Sequence, residues 1–498
     1  MNIRIVLEGE RMNFRLDDSL ALHTDLYQLN MGYTYWADGI HEKQAVFEVY
    51  FRKIPFNNGF AIFAGLERVI DYINNFKFTE TDIAYIRENL NYEEEYVEYL
   101  KNMKFTGTIK AMREGELVFG NIPLLRVEAP LIQAQIVETA ILNIINYQTL
   151  IATKAARIKE VAPDDTLMEF GTRRAQELDA AIWGTRAAYI AGFDSTSNVR
   201  AGKLFGIPIS GTHAHSLIQT YEDEYTAFKA YAKKHKNCVF LVDTYDTLRS
   251  GVPNAIRVAK ELGDSINFVG VRLDSGDLAY LSKKTRVMLD EAGFKDAKIV
   301  ASNDLDEYTI IHLKRQGAKI DSWGIGTKLI TAFDQAALGA VYKLVSIEED
   351  GKMVDRIKIS GNPEKVTTPG MKKVYRIINR DTGKSEGDYI CMEDEFPENQ
   401  SAIKLFHPVH TFLKKTITNF EAKELHVEVF KNGELVYQCP SIQEIRNFVQ
   451  ENLQVLWEEY RRNLNPAEYP VDLSQKCWDN KMNHIRNVKR RVLENSEE

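Results

Sequence analysis

Four cysteines in 498 residues, at positions 238, 391, 439 and 477, form no CxxC pair and no zinc-binding spacing. This excludes a disulfide scaffold and points to reduced thiols in a cytoplasmic protein. Long apolar runs are missing as well. No stretch reaches the roughly 18 residues needed to cross a bilayer. The start, MNIRIVLEGERMNF, carries a short apolar run (Ile3 to Leu7) with Arg4 inside it, where a secretory signal needs roughly 7–15 apolar residues. No membrane partner is therefore expected. Met12 offers an alternative start, which would make the first eleven residues a leader. There is no excess of positive charge: 63 Lys and Arg against 71 Asp and Glu give −8, so no nucleic-acid partner is expected either. Repeats and low-complexity tracts are absent. What remains is an ordinary globular composition, 44% hydrophobic and 27% charged, able to fill a large core.

The patterning changes along the chain and suggests parts at 1–140, 141–347 and 348–498. In the first, AVFEVYFRKIP (45–55) alternates as a half-buried strand does, GFAIFAGLERVIDYINNF (59–76) has helical spacing, and TETDIAYIREN (79–89) opens with capping residues. GTIKAMREGELVFGNIPLLRVEAP (107–130) reads as hairpins, and residues 131–163 as one long helix. From 165 to 347, short apolar runs recur, each followed by a polar cluster and a helical stretch: TLMEF (166–170), IPISGT (207–212), CVFLVD (238–243), INFVGVRLD (266–274), KIVASND (298–304), IDSWGIGT (320–327) and AVYKLVSI (340–347). This spacing favours parallel strands with crossover helices, and the number of units favours a βα barrel over an open doubly wound sheet. After 348 the chain is β-rich, with Asp-Gly, Thr-Gly and Asn-Gly turns, and then helical; the basic stretch HIRNVKRRVL (484–493) reads as a solvated helix face.

In a barrel, the loops at the carboxyl ends of the strands carry the chemistry. Here every such end is polar, ionisable or glycine-rich: Glu169 to Arg174, Gly211 to Ser216, Asp243 to Asp246, Arg272 to Asp277, Ser302 to Asp304 and Gly324 to Lys328. Arg173, Arg174 and Arg272 suit carboxylate or phosphate. Gly324, Gly326 and Thr327 form either a phosphate cradle or a tight strand-to-helix turn. Asp243, Asp246, Asp274 and Asp277 could hold Mg²⁺ through a phosphorylated ligand, although each one alone reads as a helix cap. In His213-Ala214-His215, period 2 puts both rings on one side. Three readings stand: a metal pair, a nucleophile that takes a phosphoryl group, or two hydrogen-bonded structural histidines. HTDLYQLNMGYTYW (23–36) opens a helix capped by Thr24 or Asp25, and its aromatics are either core and interface packing or a plate for a planar ring.

Taken together, TDLYQLNM (24–31), FxxYFRKxPFNxGFAIFAGLE (47–67), EFGTRRAQ (169–176), GFDSTSNVxAG (192–202), GTHAHS (211–216), RLDSGD (272–277), SND (302–304), GIGT (324–327) and PGMKKVYR (369–376) resemble the nicotinate phosphoribosyltransferase family, in order, over roughly residues 20–410. The resemblance implies an α/β fold: an irregular βα barrel beside an α+β domain built from the N-terminal and C-terminal segments, in homodimers with sites at the subunit interface. It implies that nicotinate and 5-phosphoribosyl 1-diphosphate give nicotinate mononucleotide and diphosphate in NAD salvage, with Mg²⁺ as cofactor and ATP as co-substrate hydrolysed through a phosphohistidine.

The same resemblance makes His215 the phosphorylated residue and leaves His213 at a variable position. It puts Phe170 and Arg173 at the pyridine ring, with Arg174 as an added charge for an acid substrate. Arg272 and Asp274 fall on ring and ribose, with Asp274 catalytic beside His215. Gly324, Gly326 and Thr327 fall on the 5-phosphate, and Asp194 near the base. Tyr27 would reach into the partner subunit's site. Thr212, Ser216 and Asn303 lie within these motifs as further substrate contacts, and Asp243, Asp246 and Asp277 are the metal candidates. The amide-using nicotinamide relative and a metal-dependent barrel hydrolase are the competing expectations.

Overall fold

A computed structural model describes residues 19–494 apart from 363, 364, 409, 411 and 413. The expected alternative start at Met12, and the eleven residues before it, lie outside the described residues. Among those described, no helix is long and apolar enough to cross a membrane.

The barrel region is built on a six-stranded parallel sheet. Its order is Ser195–Thr196, Thr166–Glu169, Ser322–Ile325, Lys298–Ala301, Asn267–Leu273, Asn237–Leu241. The helices Glu224–Ala232, Val252–Leu262 and Leu278–Glu291 pack on the strands Asn237–Leu241, Asn267–Leu273 and Lys298–Ala301, the kind of cover a parallel sheet needs. The segment after residue 206 adds only one parallel bridge, Thr196 to Ile209. The sheet is thus curled but not closed by strand pairing. Its two edges meet through side chains: Leu241 N donates to His213 Nε2 at 3.3 Å, and His215 Nδ1 lies 3.0 Å from Thr244 Oγ1.

Two expectations change here. The run IPISGT forms a bridge and no strand, while the two-residue strand Ser195–Thr196 comes from the GFDSTSNV motif. The run AVYKLVSI becomes Val341–Glu349, which pairs antiparallel with Gln44–Tyr50 outside the barrel. Its alternation leaves one face for a core, and Tyr342 stacks on Phe47 at 4.8 Å between ring centres.

Beside the barrel lies a seven-stranded antiparallel sheet drawn from both ends of the chain: Lys352–Asp355, Val341–Glu349, Gln44–Tyr50, Leu125–Pro130, Thr108–Met112, His426–Lys431 and Glu434–Leu435. A further sheet holds Phe420–Glu424, Lys372–Asn379, Ser385–Met392 and Val471–Leu473. The helix Glu80–Asn89 starts with the expected cap: Thr79 and Asp82 exchange backbone and side-chain hydrogen bonds, worth about 1 kcal/mol.

The helix expected over 131–163 is two, Leu131–Ile136 and Glu138–Val161, separated at Val137. The second runs through position 140 and ties the sheets together. Its Thr149 and Thr153 hydroxyls accept from the amides of Ala64 and Ile62, and its Lys154 and Arg157 reach Glu307 at the barrel.

Candidate active site

The rim at the carboxyl ends of the strands is continuous. His215 begins the helix His215–Gln219 with its side chain 38% exposed, and its Nε2 lies 3.8 Å from Asp274 Oδ2 and 4.0 Å from Asp243 Oδ1. Asp274 Oδ1 accepts from the Ser302 hydroxyl. Ser302 abuts Gly324, and Gly324 in turn supports Phe170: a β-carbon at Gly324 would lie 3.4 Å from Ser302 Cβ and 2.5 Å from two atoms of the Phe170 ring. The order His215, Asp274, Ser302, Gly324, Phe170 follows from the parallel register, which brings successive strand ends side by side.

Charge is arranged around this line. Asp243 is almost fully buried; its Oδ2 accepts from Asp274 N at 2.8 Å and from Ser275 Oγ at 2.6 Å, while its Oδ1 has no hydrogen-bond partner. Arg272 donates to the His213 carbonyl at 3.2 Å, and its Nε is buried without a partner. Burial pulls the Arg272 guanidinium below its usual range; Asp274 and Asp243 oppose that, and Arg173 adds to it. Arg173 therefore acts on the same field as Arg272, from the exposed turn Thr172–Arg174 that also presents Arg174.

The two histidines part company. His213 is 9% exposed, and burial pushes its pKa down to about 4. Because its Nε2 accepts an amide hydrogen bond, it is neither a free metal ligand nor a free nucleophile. His215 keeps Nε2 directed at the two carboxylates. Among the described residues, no group of three or more His, Cys, Asp or Glu side chains is disposed to hold a metal ion.

Other expected residues fall in different places. Asp246 accepts from Leu248 N and Arg249 N, and Asp277 from Tyr280 N, so both are helix caps. Asp194 lies at the start of its strand, away from the rim. Its oxygens accept from Leu167 N at 2.9 Å and from Arg446 at 2.7 Å. Tyr27 stands half-exposed on the helix Leu26–Ala37, which packs on Leu131–Ile136. Asp25 rather than Thr24 sits at the cap position of that helix, without a side-chain cap bond, while Tyr33 and Trp36 pack with Tyr96. Thr212 donates to the His213 carbonyl, and Ser216 is exposed beside His215. Asn303 takes a φ of 111°, a strained value for a residue with a side chain. Gly326 and Thr327 follow Gly324, but the helix they open, Thr327–Ile330, is a single turn.

Residue-type reasoning missed three contributors: Ser302, Thr244 and Glu169. Each stood within one of the strand-end segments, Glu169 to Arg174, Asp243 to Asp246 or Ser302 to Asp304, with no role assigned to it. Glu169 is buried and accepts from the hydroxyls of Thr185 and Thr196 and from Gly171 N, which fixes the turn after Phe170; burial raises its pKa while these bonds oppose the rise.

A cavity of about 1210 Å³ lies elsewhere, lined by Tyr50, Arg52, Lys372, Tyr469 and Lys481 among others, and no rim residue borders it. Part of its wall is internally neutralised by the pairs Lys372–Glu48 and Lys415–Glu386. The rim, which gathers the imidazole, the carboxylates and the guanidinium, is the better candidate for chemistry.

Fold and rim define an α/β-barrel protein with a charged cleft at the strand ends, where barrel enzymes work. The nicotinate phosphoribosyltransferase (NAPRTase) family model matches residues 166–391, and the models of that protein's N-terminal and C-terminal domains match 22–146 and 371–481. The chain is 67% identical over 482 residues to nicotinate phosphoribosyltransferase of Bacillus subtilis (strain 168), covering 97% of this chain and 98% of that one. It is 40% identical over 516 residues to the Dictyostelium discoideum nicotinate phosphoribosyltransferase, covering 92% and 87%. The crystal structure of human nicotinic acid phosphoribosyltransferase superposes with a TM-score of 0.82 at 30% identity, covering 92% of this chain and 99% of that one. The chain belongs to the nicotinate phosphoribosyltransferase family.

Proposed function

We propose that this chain transfers the phosphoribosyl group of 5-phosphoribosyl 1-diphosphate to nicotinate, giving nicotinate mononucleotide and diphosphate in NAD salvage, and that ATP drives the reaction through a phosphoryl group carried by His215. The observation that carries the reading is the 67% identity with the Bacillus subtilis enzyme over nearly the whole chain. The rim chemistry supports it.

In this reading Phe170 packs on the pyridine ring and Arg173 and Arg174 face its carboxylate, so the ring nitrogen is aimed at the anomeric carbon of the ribose. Nitrogen attacks that carbon as the bond to diphosphate breaks. Positive charge builds on the ribose, which Asp274 and Asp243 favour, and negative charge on the leaving group, which Arg272 opposes. Gly324, Gly326 and Thr327 hold the 5-phosphate through backbone amides, with Thr212, Ser216 and Asn303 at the edges of the cleft. Asp194, with both oxygens engaged by Leu167 N and Arg446, acts by holding its strand under the base.

Mg²⁺ fits the donor set: one or two carboxylates plus substrate oxygens is its usual company, and the partnerless Asp243 Oδ1 faces the cleft beside Asp274. Asp243 and Asp274 would hold the ion. When bound, it would offset charge on the diphosphate.

The ATP step uses the His215 tautomer with its proton on Nδ1, which can donate to Thr244 Oγ1 3.0 Å away and leaves the Nε2 lone pair free. Nε2 attacks the terminal phosphorus of ATP, the bond to ADP breaks, and water later releases phosphate. Exposed Leu178, Val199 and Ile209 near the rim suit cover by a second subunit, which would also bring its Tyr27.

The test is direct. Nicotinate-dependent diphosphate release is measured with and without ATP, with nicotinamide as the comparison base. His215→Ala is expected to lose ATP stimulation and labelling from γ-³²P-ATP while keeping its fold. Labelling that survives in that variant would refute the assignment, and a preference for nicotinamide would refute the substrate.

A further inference from the structure

We propose that His213 is a positioning residue: its imidazole closes the open seam of the barrel and thereby sets His215 and Arg272 in the cleft. The strand Asn237–Leu241 pairs with Asn267–Leu273 on one side, and no strand among the described residues pairs with its other edge. Leu241 is fully buried, so its amide would be an orphan donor at that edge, and an unsatisfied buried donor is destabilising. His213 Nε2 accepts that N–H at 3.3 Å. The imidazole stands in for the missing strand.

That hydrogen bond also fixes the tautomer. Nε2 must carry the lone pair, so the proton sits on Nδ1, 3.5 Å from the Ala214 carbonyl. The ring is held between Phe228 and Tyr231 of the helix Glu224–Ala232, at 6.1 and 5.0 Å between ring centres. It is therefore anchored to a rigid element on one side and to the strand edge on the other.

The consequences reach the cleft by two short routes. The backbone carbonyl of His213 accepts from Arg272 Nη2 at 3.2 Å, so a shift of residue 213 moves the guanidinium. Two residues along the chain, His215 meets Thr244, which lies three residues beyond Leu241. The segments 213–215 and 241–244 are laced by two side-chain hydrogen bonds, and the first is made by the His213 imidazole. Loosening it frees the second, which holds His215 at its separation from Asp274 and Asp243.

The inference rests on the proposed reaction only where it uses ATP, and two of its readouts do not. The variants are His213→Leu, which removes the acceptor; His213→Gln, whose longer amide can offer an oxygen to Leu241; and His213→Asn, which is too short. The readouts are hydrogen exchange in the peptide spanning 238–244, the rate and pH profile of His215 carbethoxylation, and steady-state kinetics. In the Leu and Asn variants the exchange rises, the carbethoxylation profile moves, and kcat with ATP falls about ten- to hundredfold while KM for nicotinate changes little, because Phe170 is untouched. The Gln variant restores all three towards the parent. If the Leu variant does not fold, the comparison of Gln with Asn decides: equal behaviour of these two overturns the proposal. Unchanged exchange and unchanged His215 reactivity in the Leu variant overturn it as well. A parent protein that ATP does not stimulate would count against the phosphohistidine reading alone, and the first two readouts would still judge His213.

Discussion

The ring of Phe170 occupies the space that a side chain on Gly324 would need: a β-carbon there would come within 2.5 Å of Cδ2 and Cε2. The glycine is required for contact and not for its backbone angle, since its φ is not in the left-handed region. The ring is also tethered through its own backbone, where Phe170 N donates to the Ile325 carbonyl at 2.8 Å. Gly324→Ala must therefore turn the ring, because the backbone cannot yield.

The expected outcome for Gly324→Ala is a KM for nicotinate raised about tenfold, a loss of about 1.4 kcal/mol of binding, with the fold intact. Steady-state kinetics at saturating diphosphate substrate measures it. An unchanged KM would mean that the Phe170 ring does not contact the base.

Much of this cleft was legible in the sequence, and the reasons differ by residue. Strand ends in a parallel sheet lie side by side, so the residues that close the apolar runs predict the meeting of Arg272, Asp274 and Gly324 at one rim, and His215 joins them although the run before it makes only a bridge. The choice among the four aspartates was not legible. Asp243, Asp246, Asp274 and Asp277 share a residue type and a loop position, and only the hydrogen bonds separate the helix caps Asp246 and Asp277 from the buried, half-satisfied Asp243. The run AVYKLVSI failed for a related cause: alternation reports one buried face but not which sheet supplies it. Residue type and spacing left His213 and His215 equivalent, and only the family resemblance separated them; the physical distinction is tertiary, since it depends on helix Glu224–Ala232 and on an unpaired strand edge.

Asp243 gives a second prediction. Its Oδ2 is committed to Asp274 N and Ser275, whereas Oδ1 faces His215 Nε2 and has no donor. Asp243→Asn keeps the shape and removes the charge. It is expected to lower kcat by about a hundredfold and to raise the Mg²⁺ concentration needed for half-maximal rate, with thermal stability retained. A normal Mg²⁺ dependence in this variant would remove Asp243 from the metal's surroundings.

Stability against pH supplies a third. His426 is buried, donates from Nε2 to the Pro123 carbonyl at 2.7 Å, and is pushed down to about 4 by burial, as His213 is. A histidine whose folded pKa lies below its unfolded value of about 6.5 binds its proton more tightly when unfolded. Its contribution is fully present above about 6.5 and is lost as pH falls towards 4, amounting to roughly 3 kcal/mol at most. Asp472, raised to about 6 by burial, works in the opposite sense over part of that window. The thermal midpoint is therefore compared between the parent and His426→Gln at pH 7 and pH 5. The parent is expected to lose more on acidification than the variant; parallel losses would show that His426 is not buried neutral.

The last prediction concerns the ion cluster that joins the long helix to the barrel. Glu307, fully buried, accepts from Lys154 Nζ at 3.0 Å and from Arg157 Nε at 2.8 Å, and both cations are themselves buried. Next to it, Asp306 holds Lys328, the residue after Thr327 in the glycine-rich turn. Taking charges out of water is costly, and the gain on pairing only offsets that cost, so removing one partner leaves the other stranded. Lys154 would keep Asp334 at 2.5 Å and Arg157 would keep Asn58 at 3.0 Å, but neither replaces the central carboxylate. Glu307→Gln is accordingly expected to destabilise by roughly 3–5 kcal/mol. Asp334→Asn, at a side chain 35% exposed and open to water, should cost no more than about 1 kcal/mol. Chemical denaturation of both variants separates the cases: equal losses would mean that Glu307 is hydrated in solution and that the cluster does not bind the long helix to the barrel.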